Sequence, residues 1–94
     1  METTKNFLER ITGHVWYEAN SSNIVCYTWE EETSNLYVLF KNGASQTPMI
    51  VYGYHHISKV EFESLCQAES KGKWVNQNLV KTKKDYDKYE IVLD

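Results

Sequence analysis

The chain has 94 residues with 41% hydrophobic and 14% aromatic content, and a formal net charge of −3. That length holds one domain and one modest core, which favours a surface groove over a deep, water-excluded catalytic chamber. The composition is globular rather than disordered, and the negative sum excludes indiscriminate attraction to nucleic acid.

Phe7, Leu8 and Ile11 recur at helical spacing, so residues 3–11 are expected to form a short helix capped by Thr3 or Thr4 and broken at Gly13. Met1–Arg10 lacks the apolar centre of a signal peptide, and no apolar run approaches the ~20 residues of a membrane span, so the expected location is cytoplasmic. His14–Glu18 has strand character and Asn20-Ser21-Ser22-Asn23 reads as a turn. Ile24–Trp29, rich in β-branched and aromatic residues, reads as a strand. Past the acidic loop of Glu30, Glu31 and Glu32, Leu36–Lys41 forms a second strand, with Leu36, Val38 and Phe40 on one side and Tyr37 and Leu39 on the other. Asn42-Gly43 signals a turn, and Met49–Tyr54 after Pro48 forms the third strand, joined to the second as an antiparallel hairpin with a long connection.

A sheet apolar on both faces needs a cover on both. A helix is expected on one face. The other takes either the N-terminal segment or a second subunit, so a homodimer or higher homo-oligomer is an expectation. Ser58 and Glu61 form a capping box for that helix; Phe62, Leu65 and Cys66 share its face, with Ala68 beside them, and Gly72 is placed to end it in a left-handed cap. Trp74, Asn76, Leu79 and Val80 follow in a short turn or extended segment, and Tyr89–Leu93 alternates as an edge strand. The expected fold is α+β: an antiparallel sheet of three to five strands packed against one main helix, a β-β-β-α core with short terminal extensions, all in a single domain. Cys26 and Cys66 stand far apart in the chain and read as reduced, partly buried thiols.

Charge is unevenly spread. Residues 1–58 hold six acids against three bases, whereas Ser70–Lys84 holds Lys71, Lys73, Lys81, Lys83 and Lys84 and no acid. Such a stretch draws anions whatever the global sum, although a solvated lysine face reads the same way.

The residues Ser21-Ser22-Asn23-Ile24, Tyr27 and Leu36-x-Val38-x-Phe40 resemble the opening of the KTSC domain. This is a small domain appended to some lysyl-tRNA synthetases and found alone in bacteria and their phages. The resemblance continues through Tyr52-x-Tyr54-x-x-Ile57 and Phe62-x-x-Leu65-x-x-Ala68-x-Ser70-Lys71-Gly72-x-Trp74-x-Asn76, and covers about Ser21 to Lys81. The chain departs from the family pattern in a longer connection around Ala44–Ile50, in Ser58 and Lys59 where prolines are common, and in lacking an arginine near Val80, where Lys81 is adjacent. The resemblance implies RNA binding.

Ser70-Lys71-Gly72 with Asn76 is the leading candidate site: amides at a glycine turn, an ammonium and a side-chain amide suit one phosphate. The competing reading is capping, with Lys71 complementing the dipole at the helix end. Lys73 and Lys81 would add charge, while Trp74, Tyr52 and Tyr54 either stack on bases or pack across strands. His55 and His56 point apart as chain neighbours, so a metal site would need His14 brought in by folding. Nothing resembles a catalytic triad, a Gly-rich phosphate loop or a paired-carboxylate site, so no catalytic residue, metal or cofactor is assigned. The chain therefore reads as a non-enzymatic module that binds RNA or a phosphate-bearing nucleotide. The alternative is a phage-encoded inhibitor of a host defence protein, acting by direct contact or by sequestering a signalling nucleotide.

Overall fold

Thr3 starts the first helix. Its hydroxyl accepts the Asn6 N–H at 3.1 Å, and α1 (Thr4–Thr12) ends where Gly13 turns to a left-handed φ of 75° and returns its N–H to the Glu9 carbonyl. The computed structural model describes residues 2–46 and 48–91. Beyond α1, five strands run as an antiparallel meander in the order β1-β2-β3-β4-β5: β1 (Tyr17–Glu18), β2 (Ile24–Glu30), β3 (Asn35–Phe40), β4 (Met49–Tyr54) and β5 (Tyr86–Ile91). The expected α+β class and antiparallel sheet are present. β5 begins three residues earlier than the alternation suggested, and the expected strand residues Val92 and Leu93 lie outside the described residues.

Period-2 alternation splits the core into two clusters, one on each face of the sheet. On the first, Ile24, Tyr27, Leu36, Val38 and Tyr54 join Leu65, Val75 and Leu79 from the helical segments. On the second, Cys26, Leu39, Met49 and Val51 join Leu8 of α1 and Trp16. A register shift between Ile24 and Cys26 lets Ile24 serve the first face although Cys26 serves the second. The N-terminal segment thus supplies cover on the second face. Cys26 is buried, and burial pushes its thiol up to about 12. Cys66 is exposed rather than part-buried, and it accepts a long contact of 3.8 Å from the Tyr27 hydroxyl.

The capping box forms as the sequence indicates: Glu61 N–H donates to Ser58 Oγ, and Ser58 N–H donates to Glu61 Oε1, both at 3.1 Å, opening α3 (Lys59–Gln67). Trp29 locks this start to the sheet, donating its Nε1–H to the Ile57 carbonyl at 2.8 Å and stacking on Phe62 with ring centres 5.4 Å apart.

Three local expectations need correction. The helix ends at Gln67 because Ala68 turns extended (φ −67°, ψ 135°), so Gly72 is not its left-handed cap. Ser70 instead restarts the chain as N-cap of α4 (Lys71–Val75), which continues into a wider turn over Asn76–Val80 closed by Lys81 N–H to the Asn76 carbonyl. The expected turn or extended stretch is therefore helical, because Val75 and Leu79, 2% and 1% exposed, form an i,i+4 apolar stripe. Gly72 sits within α4, where a Cβ would come 3.1 Å from Ser21 Oγ. Finally, Asn42-Gly43 lies in the short helix α2 (Lys41–Ala44) rather than in a hairpin turn, and a Cβ on Gly43 would lie 2.6 Å from the Ile50 carbonyl oxygen. Close approach of two backbones, not a left-handed turn, requires glycine there.

Candidate ligand-binding groove

Antiparallel register brings the chain's tyrosines together. In the β4–β5 pair, Tyr54 faces Tyr86 and Tyr52 faces Lys88, all on the face that carries α3 and α4. Tyr52 and Tyr86 stack with centres 5.2 Å apart and planes 26° from parallel, while Tyr54 and Tyr86 lie 5.5 Å apart. These rings form one wall of a groove of about 430 Å³, and Leu79, Val80, Lys83, Lys84 and Asp85 form the other. The rings differ in what they offer. Tyr54 is 3% exposed, and burial raises its hydroxyl to about 12, so it backs the groove without presenting a face. Tyr86 is 47% exposed and is the accessible ring. The Lys88 ammonium lies 5.6 Å from the centre of the Tyr52 ring, a cation–π arrangement.

The lysine rim owes its position to the backbone that leaves α4. Lys83 N–H bonds the Val80 carbonyl at 3.1 Å and Lys84 N–H bonds the Leu79 carbonyl at 3.0 Å, while Lys83 adopts a left-handed φ of 55°. Lys84 is tethered loosely, 3.9 Å from Glu61 Oε2. Lys83 is exposed.

The other half of the lysine run goes elsewhere. Ser70, Lys71, Gly72 and Lys73 line a second hollow of about 300 Å³, together with Glu69 and the turn Asn20–Asn23. Here the polar groups serve the fold. Ser70 Oγ accepts Lys73 N–H at 3.3 Å, and the Lys71 ammonium donates to the carbonyls of Ala68 at 3.1 Å and Cys66 at 3.3 Å, so it complements the C-terminus of α3 as a cap. Trp74 packs half-buried against the first core cluster and donates Nε1–H to Ser64 Oγ at 3.0 Å. Trp74, Asn76 and Lys81 line neither hollow. The structure therefore keeps Tyr52 and Tyr54 together, keeps Ser70 to Lys73 together, and divides the lysines, with Lys71 and Lys73 at one hollow, Lys83 and Lys84 at the other and Lys81 at neither. Tyr86, Lys83 and Lys84 are groove residues that sequence reasoning left out. The lysine run pointed to the last two, but only strand register reveals Tyr86.

His14 and His55 are likewise occupied. His14 Nε2 lies 2.9 Å from Glu30 Oε2, and His55 bridges Asn35 Oδ1 and Asp87 Oδ2, each at 2.9 Å. Among the described residues, no three His, Cys, Asp or Glu side chains gather where they could hold a metal, and no helix is long and apolar enough to cross a membrane.

With this geometry in place, the family profile of the KTSC domain matches residues 20–82, well over half of the chain. The chain belongs to the KTSC domain family. No curated protein matches it. The matched segment contains Tyr52, Tyr54, Leu79 and Val80, whereas Lys83, Lys84 and Tyr86 lie past its end. One wall of the groove is thus largely family scaffold, completed by residues that follow it.

Proposed function

We propose that the protein is a binding module for RNA or another phosphate-bearing nucleotide, and that the ligand sits in the tyrosine groove rather than in the Ser70–Lys73 hollow. The observation that carries this is the exposed Tyr86 ring, stacked from behind by Tyr52, with Lys83 and Lys84 on the facing rim. A base laid on Tyr86 gains about 1–3 kcal/mol of stacking, and the ring holds its orientation because Tyr52 and Tyr54 support it. The lysines contribute a salt-sensitive attraction to phosphate. Stacking of this kind requires an unpaired base, so single-stranded RNA and free nucleotides are favoured over duplexes. A groove of about 430 Å³ suits one nucleotide, and Asp85 at its rim is an acceptor for a base amino group.

The test is titration of a short single-stranded RNA and a panel of mononucleotides at low salt. Tyr86→Ala should weaken the best ligand about 5- to 150-fold, the equivalent of one lost stack. Lys83→Ala should lower affinity and flatten its salt dependence. Equal affinity of wild type and Tyr86→Ala would show that the groove is not the site.

A further inference from the structure

β5 is the long free edge of the sheet, since β1 at the opposite edge has only two residues. Its pairing with β4 runs from Met49↔Ile91 to Tyr54↔Tyr86 without a register shift, so no bulge blunts it. The residues that point their backbone groups outward follow from one hydrogen bond. His55 N–H donates to the Asp85 carbonyl at 2.9 Å, so 55 and 85 form a hydrogen-bonded pair. Alternation then directs Asp87, Tyr89 and Ile91 toward β4, and leaves the N–H and C=O groups of Tyr86, Lys88 and Glu90 at the open edge.

We propose that this edge pairs antiparallel with the same edge of a second copy of the chain, about a two-fold axis at Tyr89. Hydrogen bonding allows only registers in which the outward residues oppose one another. Centred on Lys88, two ammonium groups would meet. Centred on Glu90, two carboxylates would meet, and centred on Asp87, Asp87 would meet Asp87 of the copy. Centred on Tyr89, Lys88 of each chain faces Glu90 of the other, giving the opposite-charge cross-strand pair twice. A lysine on an edge strand ordinarily deters such pairing. Glu90, on the same face two residues along, neutralises it in this register alone.

Apolar surface supports the same partner. Tyr89 is 39% exposed and packs edge-on against Tyr37, with ring centres 5.7 Å apart. It lies with Trp16, Tyr37, Val51 and Ile91 around an apolar hollow of about 250 Å³ beside this edge. In the paired form Tyr89 meets Tyr89 of the copy across the two-fold, where non-hydrogen-bonded neighbours approach most closely. The two sheets become one, with both tyrosine grooves on one face. The pairing does not depend on the ligand proposed above.

Sedimentation of the full chain tests it. Wild type should be dimeric. Lys88→Glu and Glu90→Lys should each be monomeric, because each sets like charges across the axis twice, and the double swap K88E/E90K should be dimeric again. In a Cys66→Ser background, Tyr89→Cys should crosslink under mild oxidation, because opposed Cα atoms at about 4.5 Å fall within disulfide range. A wild-type chain that is monomeric at its highest soluble concentration overturns the proposal. So does a dimer that both single swaps leave intact, or one in which Tyr89→Cys forms no crosslink.

Discussion

Lys71 lies within the segment that matches the family, and the structure gives it a structural task that one substitution measures. Lys71→Ala removes an ammonium that donates to the carbonyls of Ala68 at 3.1 Å and Cys66 at 3.3 Å, in the gap between the end of α3 and the start of α4. A net hydrogen bond to a charged group contributes about 1.5–3 kcal/mol, and a cation at an exposed helix C-terminus about 0.3–1 kcal/mol. One of the two bonds is open to solvent and the other part-buried, so the lower end of the first range applies, and the expected loss is about 1–2 kcal/mol. In a domain of this length that lowers Tm by about 4–16 °C. Thermal and urea unfolding followed by tryptophan fluorescence would read the change, alongside ligand titration of the same variant. Nucleotide affinity should stay within a factor of two or so of wild type, because the ammonium faces the α3 carbonyls. An unchanged Tm combined with a large loss of affinity would refute the capping role and return Lys71 to the binding site.

Three further substitutions test the packing. Glu9 accepts the Trp16 N–H at 3.0 Å and the Lys5 ammonium at 3.2 Å, and these bonds hold its carboxyl below the ordinary value of 4.5. Its contribution is therefore complete above the unfolded value and is lost as pH falls through the folded one. The urea-midpoint difference between wild type and Glu9→Gln should be largest near neutrality and should vanish in acid; a difference that grows in acid would contradict the assigned bonds. Gly43→Ala drives a Cβ to 2.6 Å from the Ile50 backbone oxygen, which cannot move without displacing β4, so a loss of about 1–3 kcal/mol is expected in urea unfolding. Gly72→Ala is tight only against the Ser21 side chain, at 3.1 Å, with Asn23 at ordinary contact distance, and should cost distinctly less because a side chain can give way where a strand backbone cannot and alanine favours the helix.

Features legible in the sequence are those decided within a few residues. The Ser58–Glu61 box, the Thr3 cap with its Gly13 stop, and the alternation of Leu36, Val38 and Phe40 depend on hydrogen bonds or side-chain periods that close over one turn or one strand, so each residue declares its role locally. Local signals failed where a second partner intervened. Gly43 and Gly72 read as turn glycines, but Ile50 and Ser21, delivered from other parts of the chain, set their roles. Trp74, set among lysines, read either as a stacking surface or as a packed ring; in the fold Ser64 holds its indole nitrogen and the core takes part of its ring.

The lysine run shows the division most directly. Composition alone marks residues 70–84 as a source of positive field. Which lysines share a surface is a matter of path: α4 and its wider closing turn carry Lys83 and Lys84 to the tyrosines, while Lys71 stays behind at the start of α4, capping the end of α3. Tyr86 reaches Tyr52 and Tyr54 because β4 and β5 pair in one register, and a shift of a single residue would turn it to the opposite face. Charge and periodicity are properties of neighbours along the chain, whereas a binding groove is made by strands and helices that meet only when the core closes.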